Sequence, residues 1–209
     1  MTDAPQAEPS GAPAPEMFLG YCRKLLPAAP EWLGDTRVAT IASFSDCIAE
    51  RPEGWMDRWD FNAAGLYDTV DAAKAAVADP ERARHPLFAF TMTPVRFDIH
   101  GGETTVTPEF VFGQTFTTLR PGHPVEGFRR LGYDVVQRWA EWEPGCAEPN
   151  ALAAGFGCSP LSCNRRSRDF DVTEHCLLRT WAEARRAALD FAKTGNAEPG
   201  CYYVFGVWN

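Results

Sequence analysis

Apolar positions along the chain fall into runs of two periods, and the breaks between them mark the predicted elements. Met17–Leu26 is predicted as a short helix stopped by Pro27 and Pro30. Arg37–Ser43 (RVATIAS) alternates and is β-branched, which predicts a strand. Leu87–Phe97 (LFAFTMTPVRF) is a stronger strand pattern. Pro94 within it has no N–H to give to a ladder, so an edge or a bulge is expected there. Gly101-Gly102 signals a hairpin leading into an alternating strand at Glu109–Leu119, with Phe110, Phe112 and Phe116 on one side. After a loop at Pro121–Pro124 and a helical turn over Val125–Leu131, Gly132–Trp139 reads as a strand. Cys201–Trp208 (CYYVFGVW) is apolar on both faces, as a central strand should be.

Two segments carry the helical period. Asp68 is the expected N-cap of a helix over Thr69–Ala78, which Asp79-Pro80 ends because the proline ring disfavours helical geometry at Asp79. Thr180-Trp181-Ala182-Glu183 has the spacing of a capping box, in which the threonine hydroxyl and the glutamate each satisfy an orphan amide. Trp181, Ala184, Ala188 and Phe191 then form an apolar stripe, with Gly195-Asn196 as the stop.

The two helix–strand units align without a gap. Leu66–Phe97 matches Leu178–Asn209 at a constant offset of 112, although only five of 32 positions are identical and three of those are alanines. The alignment rests on coincident caps, acids and strand starts, and the strands at Arg37 and Gly132 are expected to correspond upstream.

The expected fold is therefore α+β: a mixed or mainly antiparallel sheet with two short capped helices, compatible with two pseudo-equivalent β-loop-β-α-β halves. Residues 1–16 read as a disordered Pro/Ala-rich tail and 17–209 as a single compact domain. Its halves would be 37–98 and 131–209, joined by a hairpin region at 99–130.

Composition narrows the function classes. The chain carries Phe 14, Trp 7 and Tyr 5, too aromatic to be disordered throughout. Its net charge of −8 and scattered basic residues argue against bulk nucleic-acid binding, which needs a concentrated positive surface. No apolar run is long enough to span a bilayer, and Met1–Pro15 lacks the basic and apolar regions of a secretory signal, so neither a membrane nor export is expected. A cytoplasmic protein whose cysteines stay reduced follows from that.

The densest chemistry lies in the irregular stretch Ala140–Asp171, which reads as one long loop, at Gly157-Cys158-Ser159-Pro160-Leu161-Ser162-Cys163-Asn164. Two thiols precede Arg165, Arg166 and Arg168, and a nearby cation would lower a thiol pKa. Cys158 or Cys163 with His175 as general base is thus the catalytic candidate. Asn164, Arg165, Arg166 and Arg168 are the matching ligand-binding candidates. A second candidate loop holds Asp46, Arg58 and Asn62, where Asp46 beside Cys47 makes a hydrogen-bonding corner rather than a nucleophile. Trp55 and Trp59 are interface candidates. Neither the Cys158/Cys163 spacing nor the adjacent His175-Cys176 gives a paired zinc pattern, so no metal and no cofactor is expected.

Nucleotide-binding glycine loops, His-Glu-x-x-His, Gly-x-Ser-x-Gly and Cys-x-x-Cys are all missing from the sequence. The leading expectation is a non-catalytic binding or accessory protein (an inhibitor, immunity-type or assembly partner) acting through protein–protein contact. Behind it stand a small cysteine enzyme and a small-molecule-binding module with its site between the two halves.

Overall fold

The computed structural model describes residues 16–45, 47–52, 61–62, 64–98, 102–107, 127–138, 157–194, 197–198 and 200–209. The strand predicted at Glu109–Leu119, the loop at Pro121–Pro124, the tail before Glu16 and the stop at Gly195-Asn196 lie outside the described residues. Five antiparallel strands form one sheet: β1 (Met17–Arg23), β2 (Leu87–Phe97), β3 (Glu103–Thr105), β4 (Arg130–Arg138) and β5 (Cys201–Trp208). Their order is β1-β2-β5-β4, and β3 pairs with the far end of β2. Among the described residues three α-helices accompany the sheet: α1 (Val70–Ala75), α2 (Pro160–Cys163) and α3 (Trp181–Thr194). The chain is α+β.

β2 and β5 occupy the middle, as their apolar faces demand. Along β5, Tyr202 and Val204 face α3. Tyr203, Phe205 and Val207 face the other way, where Phe44 stacks on Phe205 at 4.1 Å between ring centroids. Pro94 breaks the β2–β5 register between Met92 and Arg96, so the predicted irregularity is a bulge. The hairpin expected near Gly101-Gly102 joins β2 to β3, with the Gly102 amide donating to Asp98 Oδ1 at 3.0 Å. β4 begins at Arg130, so the helical turn expected over Val125–Leu131 gives way to strand at its end.

Two expectations fail in the first forty residues. Met17–Leu26 is not a helix: Met17–Arg23 is strand β1. Its apolar residues lie on both faces, and Gly20 takes a φ of 144° that a helix cannot hold. The prolines that end it stop a strand as readily as a helix. Arg37–Ser43 is no strand of the sheet: Arg37 lies in a turn, and Thr40 makes a single isolated bridge with Ala28. The Ala29 amide donates to Ala39 O, and the Ala42 amide donates to His175 O, so its backbone partners are loops. The strand that stands opposite β4 is therefore β1.

That substitution brings two local geometries into correspondence. Gly20 in β1 and Gly132 in β4, 112 residues apart, sit at a register shift with φ of 144° and 154°. Tyr21 then exchanges two backbone hydrogen bonds with Tyr67, and Tyr133 does the same with Leu178. A capped helix follows each bridge. The first cap is Thr69 rather than Asp68, its hydroxyl accepting from the Ala72 amide, and the helix ends at Ala75, before Asp79-Pro80. The second is the predicted capping box: Thr180 Oγ1 accepts from the Glu183 amide and Glu183 Oε2 from the Thr180 amide, at 3.2 and 3.1 Å. Ala184, Ala188 and Phe191 are fully buried, as the stripe required, and Trp181 packs beside Phe97 and Tyr133.

Candidate functional site

A buried charge pins two loops together beside β4. Lys24 directly follows β1, between Arg23 and Leu25, and is 1% exposed. Its ammonium donates to the carbonyls of Ser43, Phe44 and Ser45 at 3.0, 3.0 and 2.9 Å. Asp134, on the same face of β4 as Val136, is equally buried. Its Oδ2 accepts from Ser43 Oγ at 2.6 Å and from the Phe44 amide at 2.9 Å, and its Oδ1 accepts from Ser159 Oγ at 2.6 Å. Burial raises the Asp134 carboxyl above its ordinary value, while Ser159, Ser43, the Phe44 amide and Lys24 pull it back. Short hydrogen bonds to a carboxyl in a low-dielectric interior are strong, and they hold segment 43–45 against segment 157–159.

Those segments deliver three thiols to one place. Gln137 and the Gly157–Cys158 backbone exchange hydrogen bonds at 2.8 and 3.1 Å, which fixes Cys158 on the outer edge of β4. Ser45 Oγ donates to Gly157 O at 2.8 Å and accepts from the Cys47 amide at 3.2 Å, so the hydrogen-bonding corner expected around Asp46 is built by Ser45. Cys163 arrives on α2, its amide donating to Ser159 O at 2.8 Å. Cys47 Sγ lies 3.1 Å from Cys158 Sγ, and all three sulfurs lie within 4.8 Å of one another. Cys47 is exposed and the other two are half-buried.

The thiols are not activated as the sequence suggested. Burial, then the Cys47 hydrogen bond, pushes Cys158 up to about 11. Burial and the neighbouring thiols push Cys163 up as well. The arginines expected to lower them are spent elsewhere. Arg166 pairs with Asp169 and Asp190, both at 2.6 Å, and its guanidinium lies over Phe191. Arg168 donates to Leu33 O at 2.7 Å. Arg165, at a left-handed φ of 58°, lies 5.8 Å from the ring of Trp32. His175 Nδ1 is bonded to Thr40 Oγ1 at 2.8 Å, and His175 stands outside the thiol group.

Other sequence candidates have structural roles or fall outside the described residues. Asn62 donates to Leu19 O and Asp68 Oδ1 and accepts from the Ala64 and Leu66 amides, which makes it the clamp of the turn before α1. Asn164 caps the C-terminal end of α2 with Oδ1 buried and lacking a hydrogen-bond partner. Asp46, Trp55, Arg58 and Trp59 lie outside the described residues. The stretch Ala140–Asp171 is not one irregular loop in its described part, which holds α2 and a 3-10 turn at Arg166–Asp169.

Lys24, Asp134 and the thiol of Cys47 were missed. A lysine directly after a strand and an aspartate inside one were the available signals, since a buried charge requires partners. The sequence distance from Cys47 to Cys158 hid their meeting. Among the described residues no helix is long and apolar enough to cross a membrane. No family model, curated protein or solved structure matches the chain.

Proposed function

We propose that the chain is a non-catalytic cytoplasmic binding protein that acts through protein–protein contact. Trp32 carries this reading: among the described residues it is the large hydrophobic side chain left exposed, at 45%. Arg165 lies beside its ring. Tryptophan and arginine supply a disproportionate share of interface energy, because each buries a large surface while keeping directional polar contacts. The two residues sit on 3-10 turns held together by Arg168, whose guanidinium donates to Leu33 O and fills the space above Gly34. A rigid presentation lowers the entropy lost on binding. The six cysteines among the described residues, of seven in the chain, are free of disulfides, which suits a reducing compartment. Protonated thiols and a histidine bonded to Thr40 favour binding over thiol catalysis.

Site-specific incorporation of a photo-crosslinking phenylalanine analogue at position 32 of the full chain, in the cell that makes it, tests the proposal. A discrete protein adduct that weakens in Arg165→Ala supports it. A chain that gives no adduct and elutes from native extract as a solitary monomer overturns it.

A further inference from the structure

We infer that Cys47, Cys158 and Cys163 form a binding site for a thiophilic metal ion, with zinc as the fitting example. Tetrahedral zinc with Zn–S bonds of roughly 2.3 Å holds its sulfurs about 3.8 Å apart. The Cys47–Cys158 separation of 3.1 Å and the 4.8 Å limit on the whole triangle straddle that spacing. Small rotations about the Cα–Cβ bonds suffice to bring three sulfurs onto one ion.

The backbone beneath each ligand is already fixed. Cys158 is laddered to Gln137, Cys163 is hydrogen-bonded to Ser159 within α2, and Cys47 hangs from the Ser45 hydroxyl. Lys24 and Asp134 hold those supports from below, by three hydrogen bonds each. Preorganised supports of this kind are what metal sites use to orient their ligands. Three thiolates select soft ions such as zinc or copper(I) over magnesium or calcium.

Uptake balances simply. Three S–H groups release three protons to solvent, three S–metal bonds form, and a divalent ion leaves the site with one net negative charge. Cys47 is exposed, so the fourth position faces solvent and takes water or an incoming donor. Ser162 Oγ, 3.9 Å from Cys163 Sγ, is the neighbouring neutral oxygen. This site differs from the Trp32 surface in chemistry, and its test does not depend on a protein partner.

The full chain, reduced and stripped with chelator, is titrated anaerobically with zinc against a chromophoric competitor and, separately, with cobalt(II). The expected result is one ion per chain. Cobalt should give the near-ultraviolet charge-transfer intensity of three thiolates, and proton release should rise as pH falls toward neutrality. Cys47→Ser, at an exposed position, should fold as the parent does by circular dichroism. It should bind zinc more weakly by at least the roughly 10–100-fold that loss of even a supporting residue costs. Cys158→Ser and Cys163→Ser should do the same, and Cys201→Ser should bind as the parent does. Zinc affinity unchanged in Cys47→Ser, or no saturable zinc binding by the parent, overturns the inference. So does a Cys47–Cys158 disulfide that forms in the presence of zinc, seen as a mass lighter by two hydrogens.

Discussion

The strand pair β1–β2 with α1 and the strand pair β4–β5 with α3 solve the same local problem with unequal materials. In each, an outer strand bulges at a glycine, bridges to an extended dipeptide and is followed by a threonine-capped helix. A Cβ on Gly20 would stand 2.8 Å from Leu66 Cβ and Tyr67 O. One on Gly132 would stand 2.7 Å from Leu177 Cβ and Leu178 O. The helices then diverge. α1 has six residues and buries Ala73, while α3 has fourteen and buries four alanines and Phe191. A close backbone approach is thus specified by a single glycine, whereas helix length follows from how much apolar stripe there is to cover. The interiors diverge too. Cys22 stands in β1 where Asp134 stands in β4, counting from the two glycines, and Lys24 stands where β4 has Val136. Lys24 after β1 and Asp134 in β4 are buried ionisable side chains at different positions, and both bond to segment 43–45.

The largest expected effect breaks the comparison at that pair of positions. Asp134→Ala strands the Ser43 and Ser159 hydroxyls and the Phe44 amide in the interior, and should cost about 3–5 kcal/mol. Cys22→Ala, at the matching site, removes one buried sulfur and should cost about 1 kcal/mol. Urea unfolding followed by fluorescence measures both. Equal losses would mean that the buried network adds nothing to ordinary packing.

The glycines test the likeness itself. Gly20→Ala and Gly132→Ala each force a side chain into a positive-φ site already occupied by backbone, and each should cost about 3 kcal/mol. Thermal melts of the two variants should fall together. If one were tolerated, the two bulges would be alike only in outline.

How much of this was legible depends on the range of the interaction. β2 and β5 matched their predicted limits because every residue of those runs carries the signal, and Pro94 announced its bulge through a missing donor. The capping box was legible because its three-residue spacing is local. β1 was misread because a short run apolar on both faces has no period to distinguish strand from helix. Arg37–Ser43 has the alternation of a strand and no strand beside it, and pairing is not written in the pattern. Of the site, Cys158 and Cys163 stood out by proximity in sequence. Cys47 joined them through contacts of Lys24 and Asp134 that bridge up to 91 residues of sequence, and the arginines turned away toward Asp169, Asp190 and Leu33.

The caps sharpen the comparison on a smaller scale. Thr180→Ala removes the hydroxyl half of a reciprocal pair at the head of a long, buried helix and should cost about 1–2 kcal/mol. Thr69→Ala removes a single acceptor from a one-and-a-half-turn helix and should cost about 0.5–1 kcal/mol. Amide hydrogen exchange should show the loss confined to α1 in the second variant. In the first it should spread into β4 and β5, because Ala184, Ala188 and Phe191 pack on them.

The smallest effect belongs to a strap centred on Arg37. Arg37, in the segment after β1, donates to Phe170 O at 3.0 Å and Ser167 O at 2.8 Å in the segment before α3, while Asp35 holds it through two side-chain bonds. The hydrogen bond from Arg37 lowers the Asp35 carboxyl to about 2. A carboxyl depressed in the folded state binds more protons when unfolded, so its contribution is present above the unfolded value near 4 and is lost as pH falls toward 2. Arg37 is 45% exposed, so water screens the pair and the contribution should not exceed about 1 kcal/mol at neutral pH. Asp35→Asn should therefore melt slightly below the parent at pH 7 and close that gap as pH falls from 4 to about 2. A gap that stays constant across that window would assign the strap to the carbonyl bonds of Arg37 alone, with the Asp35 charge contributing nothing.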